Sequence, residues 1–169
     1  MSRIIIFCGA PCSGKSTFSE IVADRLGVER ICEDELMIKL YEQRGASTLS
    51  ESDRYSEVAN KLIIDEVQRR IERREDVICD ATFDRSGNTD RINRWVEEGY
   101  DVRVIVCQVR ESERKRRFLT RSRHPVHHDL ERDFKSHHFN YFAMPYPKLF
   151  FDTDTSIEDS VQTILSFLR

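Results

Sequence analysis

Two glycines, a lysine and a pair of hydroxyl residues near the start of the chain have the types and spacing to hold an anion. Gly9-Ala10-Pro11-Cys12-Ser13-Gly14-Lys15-Ser16 fits the pattern GxxxxGK(S/T), after a short apolar run (Arg3 to Cys8) and before a segment of helical spacing. Gly9 and Gly14 permit backbone angles and close approaches that a Cβ would block, so successive N–H groups from Gly9 to Thr17 can turn toward a polyphosphate. The helix that follows presents its N-terminus to the same charge. Lys15 can then reach β and γ phosphates, Ser16 can ligate Mg²⁺, and Thr17 can touch an α phosphate. The ligand implied is a nucleoside triphosphate. Asp84-Arg85-Ser86-Gly87 formally matches the DxxG of GTPases, but no NKxD segment for guanine occurs, so that match reads as a turn and the nucleotide as ATP.

Phosphoryl transfer also needs an acceptor held in line, a carboxylate to take or orient its proton, and positive charge on the transferring group. Glu33-Asp34-Glu35 and Asp80-Ala81-Thr82 supply carboxylates, and Arg110 to His124 (RESERKRRFLTRSRH) supplies cations. Other readings exist for each. Asp34 also fits the N-cap of a helix starting at Glu35, Asp80 a magnesium-shell acid alone, and the basic run a solvated helix face with glutamate–arginine pairs.

Elements must bring these groups together. Apolar runs bounded by turn signals predict five strands, at Arg3 to Cys8, around Val28 to Cys32, at Asp76 to Cys79, Val102 to Val109 and Leu149 to Phe151. Helical spacing occurs over Lys15 to Leu26, Glu35 to Arg44, about Ser52 to Arg74, Asp90 to Glu98, Ser112 to Arg121, Leu130 to Phe142 and Ser156 to Phe167, the last with a capping box of Thr155 and Glu158. Strand and helix alternate, which predicts a parallel sheet covered on both faces. Ligands of such sheets bind beyond the carboxyl ends of the strands. Gly9 onward, the acidic trio, Asp80 to Thr82, Gln108 to Arg110 and Asp152 to Thr155 all follow strands, so polar groups gather at one edge.

At 169 residues the chain is long enough for one well-buried domain and short for two. No apolar run approaches the roughly 18 residues of a membrane span, and Ile4 to Cys8 is too short for a signal-peptide core. A cytoplasmic protein is expected. Its five cysteines, with no CxxC pair, read as thiols in a reducing compartment rather than as a disulfide framework or zinc ribbon. A net charge of −3 argues against coating of nucleic acid by overall electrostatics. All five histidines fall between His124 and His138 without a completing ligand set, and read as surface or lid-edge residues. Pro145 and Pro147 read as a rigid approach to the last strand, with the neighbouring aromatics in the core.

GAPCSGKST, the acidic ICEDEL, VICDATF and the arginine-rich segment before the final strand together resemble the small P-loop kinases: the bacteriophage-type polynucleotide 5′-hydroxyl kinases, with chloramphenicol phosphotransferase and gluconate kinase as relatives. The resemblance runs over nearly the whole chain in element order, the phosphate loop being its most specific part. It implies an α/β P-loop NTPase three-layer sandwich, a five-stranded parallel sheet of order 2-3-1-4-5, and one kinase domain over 1–169 with an arginine-bearing lid at about 111–129. It also implies roles. Asp34 corresponds to the base that activates the acceptor hydroxyl, Asp80 to an acid orienting acceptor or metal, Arg91 to an arginine facing the acceptor, and Arg121 and Arg123 to lid arginines that close on the phosphates. The acceptor side is then expected at Asp34, Asp80, Thr82 and Arg91, and the metal at Ser16 and Asp80.

One departure bears on the acceptor. Polynucleotide kinases tend to carry an arginine and paired aspartates where this chain has Glu33-Asp34-Glu35-Leu36-Met37, and Glu33 would repel an incoming phosphodiester. Arg85, Arg91 and Arg94 near the Asp80 turn would attract one. The expectation is an ATP- and Mg²⁺-dependent kinase acting on a small-molecule or nucleic-acid 5′-hydroxyl, with a nucleotide switch or ATPase working on a protein partner as the alternative.

Overall fold

The computed structural model describes residues 2–45, 48–83, 86–121, 124–127, 133–135, 141 and 146–169. Five parallel strands, β1 (Arg3–Cys8), β2 (Arg30–Cys32), β3 (Val77–Asp80), β4 (Asp101–Gln108) and β5 (Lys148–Asp152), form one sheet in the order β2-β3-β1-β4-β5. This is the order expected. Ile4 pairs with Val77 on one side and Val102 on the other, placing β1 at the centre, where strands buried on both faces need a continuous apolar run. Ile4, Ile5, Ile6, Phe7 and Cys8 are all fully buried.

Alternation along the strands sends side chains to two cores. Ile5, Phe7, Ile78 and Ile105 meet Phe18 and Val22 of α1 (Lys15–Leu26) and Val161 and Ile164 of α6 (Ile157–Phe167). On the other face Ile4, Ile6, Val77 and Val104 meet Ile63, Val67 and Ile71 of α3 (Leu49–Glu72), and Ile92 and Trp95 of α4 (Ser86–Glu97). Helices α2 (Glu33–Arg44) and α5 (Glu111–Thr120) complete the set, and a short 3-10 turn at Pro125–His127 follows α5. Val126 of that turn packs with Met37 and Ala59, tying it to α2 and α3. Ile63 is fully buried in the larger core, so Ile63→Val should lower unfolding free energy by about 0.5–1.5 kcal/mol in urea denaturation; an unchanged midpoint would contradict this packing.

Several boundaries differ from those read in the sequence. Helix α2 begins at Glu33, with Cys32 in the N-cap position, so Asp34 lies in the first turn and is not the cap. Helix α3 begins at Leu49 because Thr48 and Glu51 form a capping box: Thr48 Oγ1 accepts from Glu51 N (3.3 Å) and Thr48 N donates to Glu51 Oε2 (3.0 Å). Helix α4 begins four residues earlier than its apolar spacing suggests, at Ser86. The cap of α6 is Ser156, whose hydroxyl accepts from Asp159 N; Thr155 Oγ1 donates to Asp152 O instead. The helix expected over Leu130 to Phe142 lies mostly outside the described residues. Among the described residues, no helix is long and apolar enough to cross a membrane.

Candidate active site

The loop between β1 and α1 is shaped by close backbone approach. Gly9 has φ +137°, and a Cβ there would lie 2.3 Å from Cys107 O and 2.9 Å from Ser13 Oγ, so only glycine fits. Gly14, at φ +91°, caps α1 without a side-chain hydrogen bond, and the first turn of α1 carries no acidic residue. Nothing on that helix competes for its free N–H groups, which therefore suit an external anion. Helix α2 is the opposite case: Glu33, Asp34 and Glu35 already set negative charge against its N-terminus. The Lys15 side chain is buried and donates from Nζ to Ala10 O (3.0 Å), which leaves two of its three N–H bonds for a ligand. Ser13 Oγ is buried beside Gly9 with no hydrogen-bond partner among the described residues.

A cavity of about 980 Å³ opens over this loop. Its lining includes Pro11, Cys12, Gly14, Lys15, Ser16 and Thr17 from the loop and α1, Asp34 from α2, Asp80 and Thr82 beyond β3, and Arg121 after α5. Thus most of the residues singled out in the sequence face one space. Gly9, Ala10 and Ser13 belong to the loop behind that surface. Arg91 is not among the lining residues: α4 turns Asn88, Ile92 and Trp95 into the core and leaves Arg91 half-buried beside them. Arg123 and Arg85 lie outside the described residues.

Asp80 is held firmly. Buried at the end of β3, its Oδ2 accepts from Ser19 Oγ (2.9 Å) and pairs with Arg30 Nη1 (3.4 Å), which also bonds Glu35 from its other terminal nitrogen. Asp34 contrasts with it. Its exposed carboxylate makes no hydrogen bond or ion pair with a described residue, leaving it available in the cavity. The oxygen donors Ser16 and Asp80 both line the cavity and suit a hard cation such as Mg²⁺. Among the described residues, no cluster of His, Cys, Asp and Glu forms a metal site of its own. His124 Nδ1 accepts from Val126 N (3.2 Å), while His127 borders the cavity.

Three residues missed in the sequence complete the arrangement. Arg114 is buried in α5, donates to Lys135 O (2.9 Å) and stacks 4.3 Å from the Phe134 ring centroid, and it lines the cavity with no ion-pair partner among the described residues. Its spacing from Arg117 and Arg121, at i+3 and i+7, was a readable signal. Thr153, just past β5, donates from Oγ1 to Ser13 O (2.7 Å) and accepts from Arg117 Nη1 (2.9 Å), joining α5 to the phosphate loop. Arg117 is also bound by Glu113, whose carboxyl Arg116 and Arg117 hold down at about 2. That contribution is complete above the ordinary glutamate range and fades as pH falls toward 2. Asp53, at the start of α3, faces the cavity near Ser52 and Ser56, and Ser56 Oγ donates to the buried Glu33 (2.8 Å). Tyr141 and Tyr146 belong to the core, and Tyr141 Oη donates to Thr82 O (2.7 Å).

Cys12 differs from the other thiols. Cys8, Cys32, Cys79 and Cys107 are buried, and burial pushes all four thiols upward, Cys32 to about 12. Cys12 is partly exposed in the loop, at φ +64°. A disulfide reagent should therefore titrate Cys12 alone in the native protein, and bound nucleotide should slow it; fast reaction of a second thiol would contradict this burial.

A search of curated proteins finds no match to this sequence. Among solved structures, a candidate kinase from Chloroflexus aurantiacus J-10-fl has a TM-score of 0.85 at 21% identity, with 99% of each chain covered. Shikimate kinase from Bacteroides thetaiotaomicron has a TM-score of 0.67 at 18% identity, covering 99% of this chain and 98% of that one. A gluconokinase from Sinorhizobium meliloti 1021 has a TM-score of 0.59 at 18% identity, covering 97% and 90%. Identities this low speak to the fold, which is that of the P-loop kinases. Residues 4–142 match the family described as AAA domain, and the chain belongs to that family.

Proposed function

We propose that the protein is an ATP-dependent kinase that transfers the γ-phosphate to an acceptor hydroxyl. The observation that carries the reading is one cavity shared by the anion cradle and an available carboxylate: Lys15 and the free N-terminus of α1 on one side, Asp34 on the other. The loop suits a polyphosphate: Gly9 lets it pack tightly on the strand behind it, where a Cβ would sit 2.3 Å from Cys107 O, and the N-terminus of α1 has no acidic residue in its first turn. Lys15, Arg114 and Arg121 supply fixed positive charge where negative charge develops on the transferring group. Asp34 accepts the proton of the attacking hydroxyl. Ser16 and Asp80 would hold Mg²⁺, which when bound neutralises phosphate charge and orients the phosphates.

Glu33 and Asp53 on the acceptor wall weigh against a polynucleotide end, whose phosphodiesters would meet carboxylates. The test is ADP release from ATP with and without a panel of hydroxyl compounds. A kinase accelerates with an acceptor and loses that acceleration in Asp34→Ala. Turnover indifferent to every acceptor would instead favour a nucleotide switch.

A further inference from the structure

Thr153 stands one position beyond β5, buried, with its backbone N–H donating to Gln108 O (2.8 Å) at the end of β4. Its hydroxyl is used in both senses. Oγ1 gives its one proton to Ser13 O (2.7 Å) and accepts from Arg117 Nη1 (2.9 Å), while Arg117 Nη2 donates to Thr153 O (3.3 Å). Both terminal nitrogens of Arg117 therefore hold this one residue, and its Nε donates to Glu113 Oε1 (2.8 Å) on the same helix. Thr153 also packs on the loop itself: a Cβ added at Gly14 would stand 3.2 Å from Thr153 Cβ and 3.3 Å from its Cγ2. In a planar trans peptide the C=O and the N–H point in opposite directions. With Ser13 O held toward Thr153, the N–H of Gly14 at the other end of that peptide is turned away from it. Gly14 lines the cavity, and its N–H meets no acceptor among the described residues.

Resting on the phosphate-loop reading above, we propose that Thr153 is a positioning residue for nucleotide binding: by clamping the Ser13–Gly14 peptide against Arg117 it aims the Gly14 N–H at the phosphates and ties the shape of the cradle to the seat of α5. Ser13 O is the weak point of the arrangement. It accepts from no other described group, so without the Thr153 hydroxyl a buried acceptor loses its partner and the peptide turns to find another. Turning the carbonyl turns the amide with it, and the cradle loses the alignment of one donor. The clamp reaches further through α5. That helix carries Arg114 and is followed by Arg121, both in the lining, so the contact that fixes a donor of the loop also fixes the cations that face it. Thr153 acts through the peptide it holds, and Arg117 acts through Thr153.

The test compares Thr153→Val, which keeps the shape and removes the hydroxyl, with Thr153→Ser, which keeps the hydroxyl and removes the methyl. Kd for ATP is read by calorimetric titration, KM and kcat by ADP release, and folding by a thermal melt. Thr153→Val should raise Kd and KM for ATP at least about tenfold, the scale of one buried acceptor left unpaired, with the acceptor KM unmoved. Thr153→Ser should hold ATP affinity within about threefold of wild type. Arg117→Gln should also weaken ATP binding, yet add little to Thr153→Val, because both act through one hydroxyl. If Thr153→Val does not melt cooperatively, Thr153→Ala against Thr153→Ser isolates the same hydroxyl. A merely structural role would lower kcat through the active fraction and leave Kd and KM for ATP in place, and that result would overturn the proposal while the kinase reading stands. Equal losses with and without the hydroxyl, or additive losses in the double variant, would overturn it as well. A wild-type protein that binds no ATP would overturn both.

Discussion

Gly9→Ala should yield a folded protein that binds ATP far more weakly. The added Cβ would sit 2.3 Å from Cys107 O in the neighbouring strand and 2.9 Å from Ser13 Oγ, at a φ of +137° that an alanine rarely adopts. The contact is with backbone, so the loop must move rather than a side chain. Forcing such a backbone costs on the order of 1–3 kcal/mol, within the roughly 5–15 kcal/mol by which domains are stable. The moved loop no longer aims its N–H groups at one point, and ATP affinity should fall by roughly 100-fold or more, equivalent to about 2.7 kcal/mol. Calorimetric titration with ATP beside a thermal melt separates the two effects. Wild-type affinity in Gly9→Ala would show that the loop is not the phosphate cradle.

Asp34→Asn should do the reverse, sparing ATP binding and removing turnover. The amide keeps the size and position of the carboxylate but cannot accept the hydroxyl proton, so kcat should fall by about 10²–10⁴. Because Asp34 pairs with no described side chain, the substitution breaks no hydrogen bond or ion pair among the described residues. Steady-state ADP release with saturating acceptor gives kcat, and ATP titration gives affinity. A fall of less than about tenfold would move the role of base to another carboxylate of the cavity, Asp80 or Glu33.

What the sequence disclosed follows from how local each signal is. Strand β1 and helix α1 were read with their observed limits, because an apolar run, a glycine loop and a helical stripe each constrain a few adjacent residues. The acidic trio was also legible, but its place inside α2 was not, since carboxylates in a first turn and carboxylates in a preceding loop look alike in a single chain. Helix α3 began early for a local reason that was overlooked, the Thr48–Glu51 box within a stretch that reads as a polar loop. Thr153 is a different case. Its hydroxyl reaches Ser13 O across 140 positions, and no spacing rule contains such a contact. Arg114 stands between them: its helix face could be read, whereas its stacking on Phe134 depends on a segment that returns after α5. Arg91 failed to join the cavity because α4 is turned by the demands of Ile92 and Trp95, which are fully buried.

The central claim is that the cavity passes a phosphate from ATP to a hydroxyl, and the fate of the γ-phosphate tests it most directly. ATP labelled at the γ position is incubated with the protein, Mg²⁺ and the acceptor panel, and the products are resolved by charge. The account predicts label in a phosphate monoester of an acceptor, in step with ADP formed, and lost in Asp34→Asn. Label released only as inorganic phosphate, or retained in ATP that the protein binds without consuming, would contradict it.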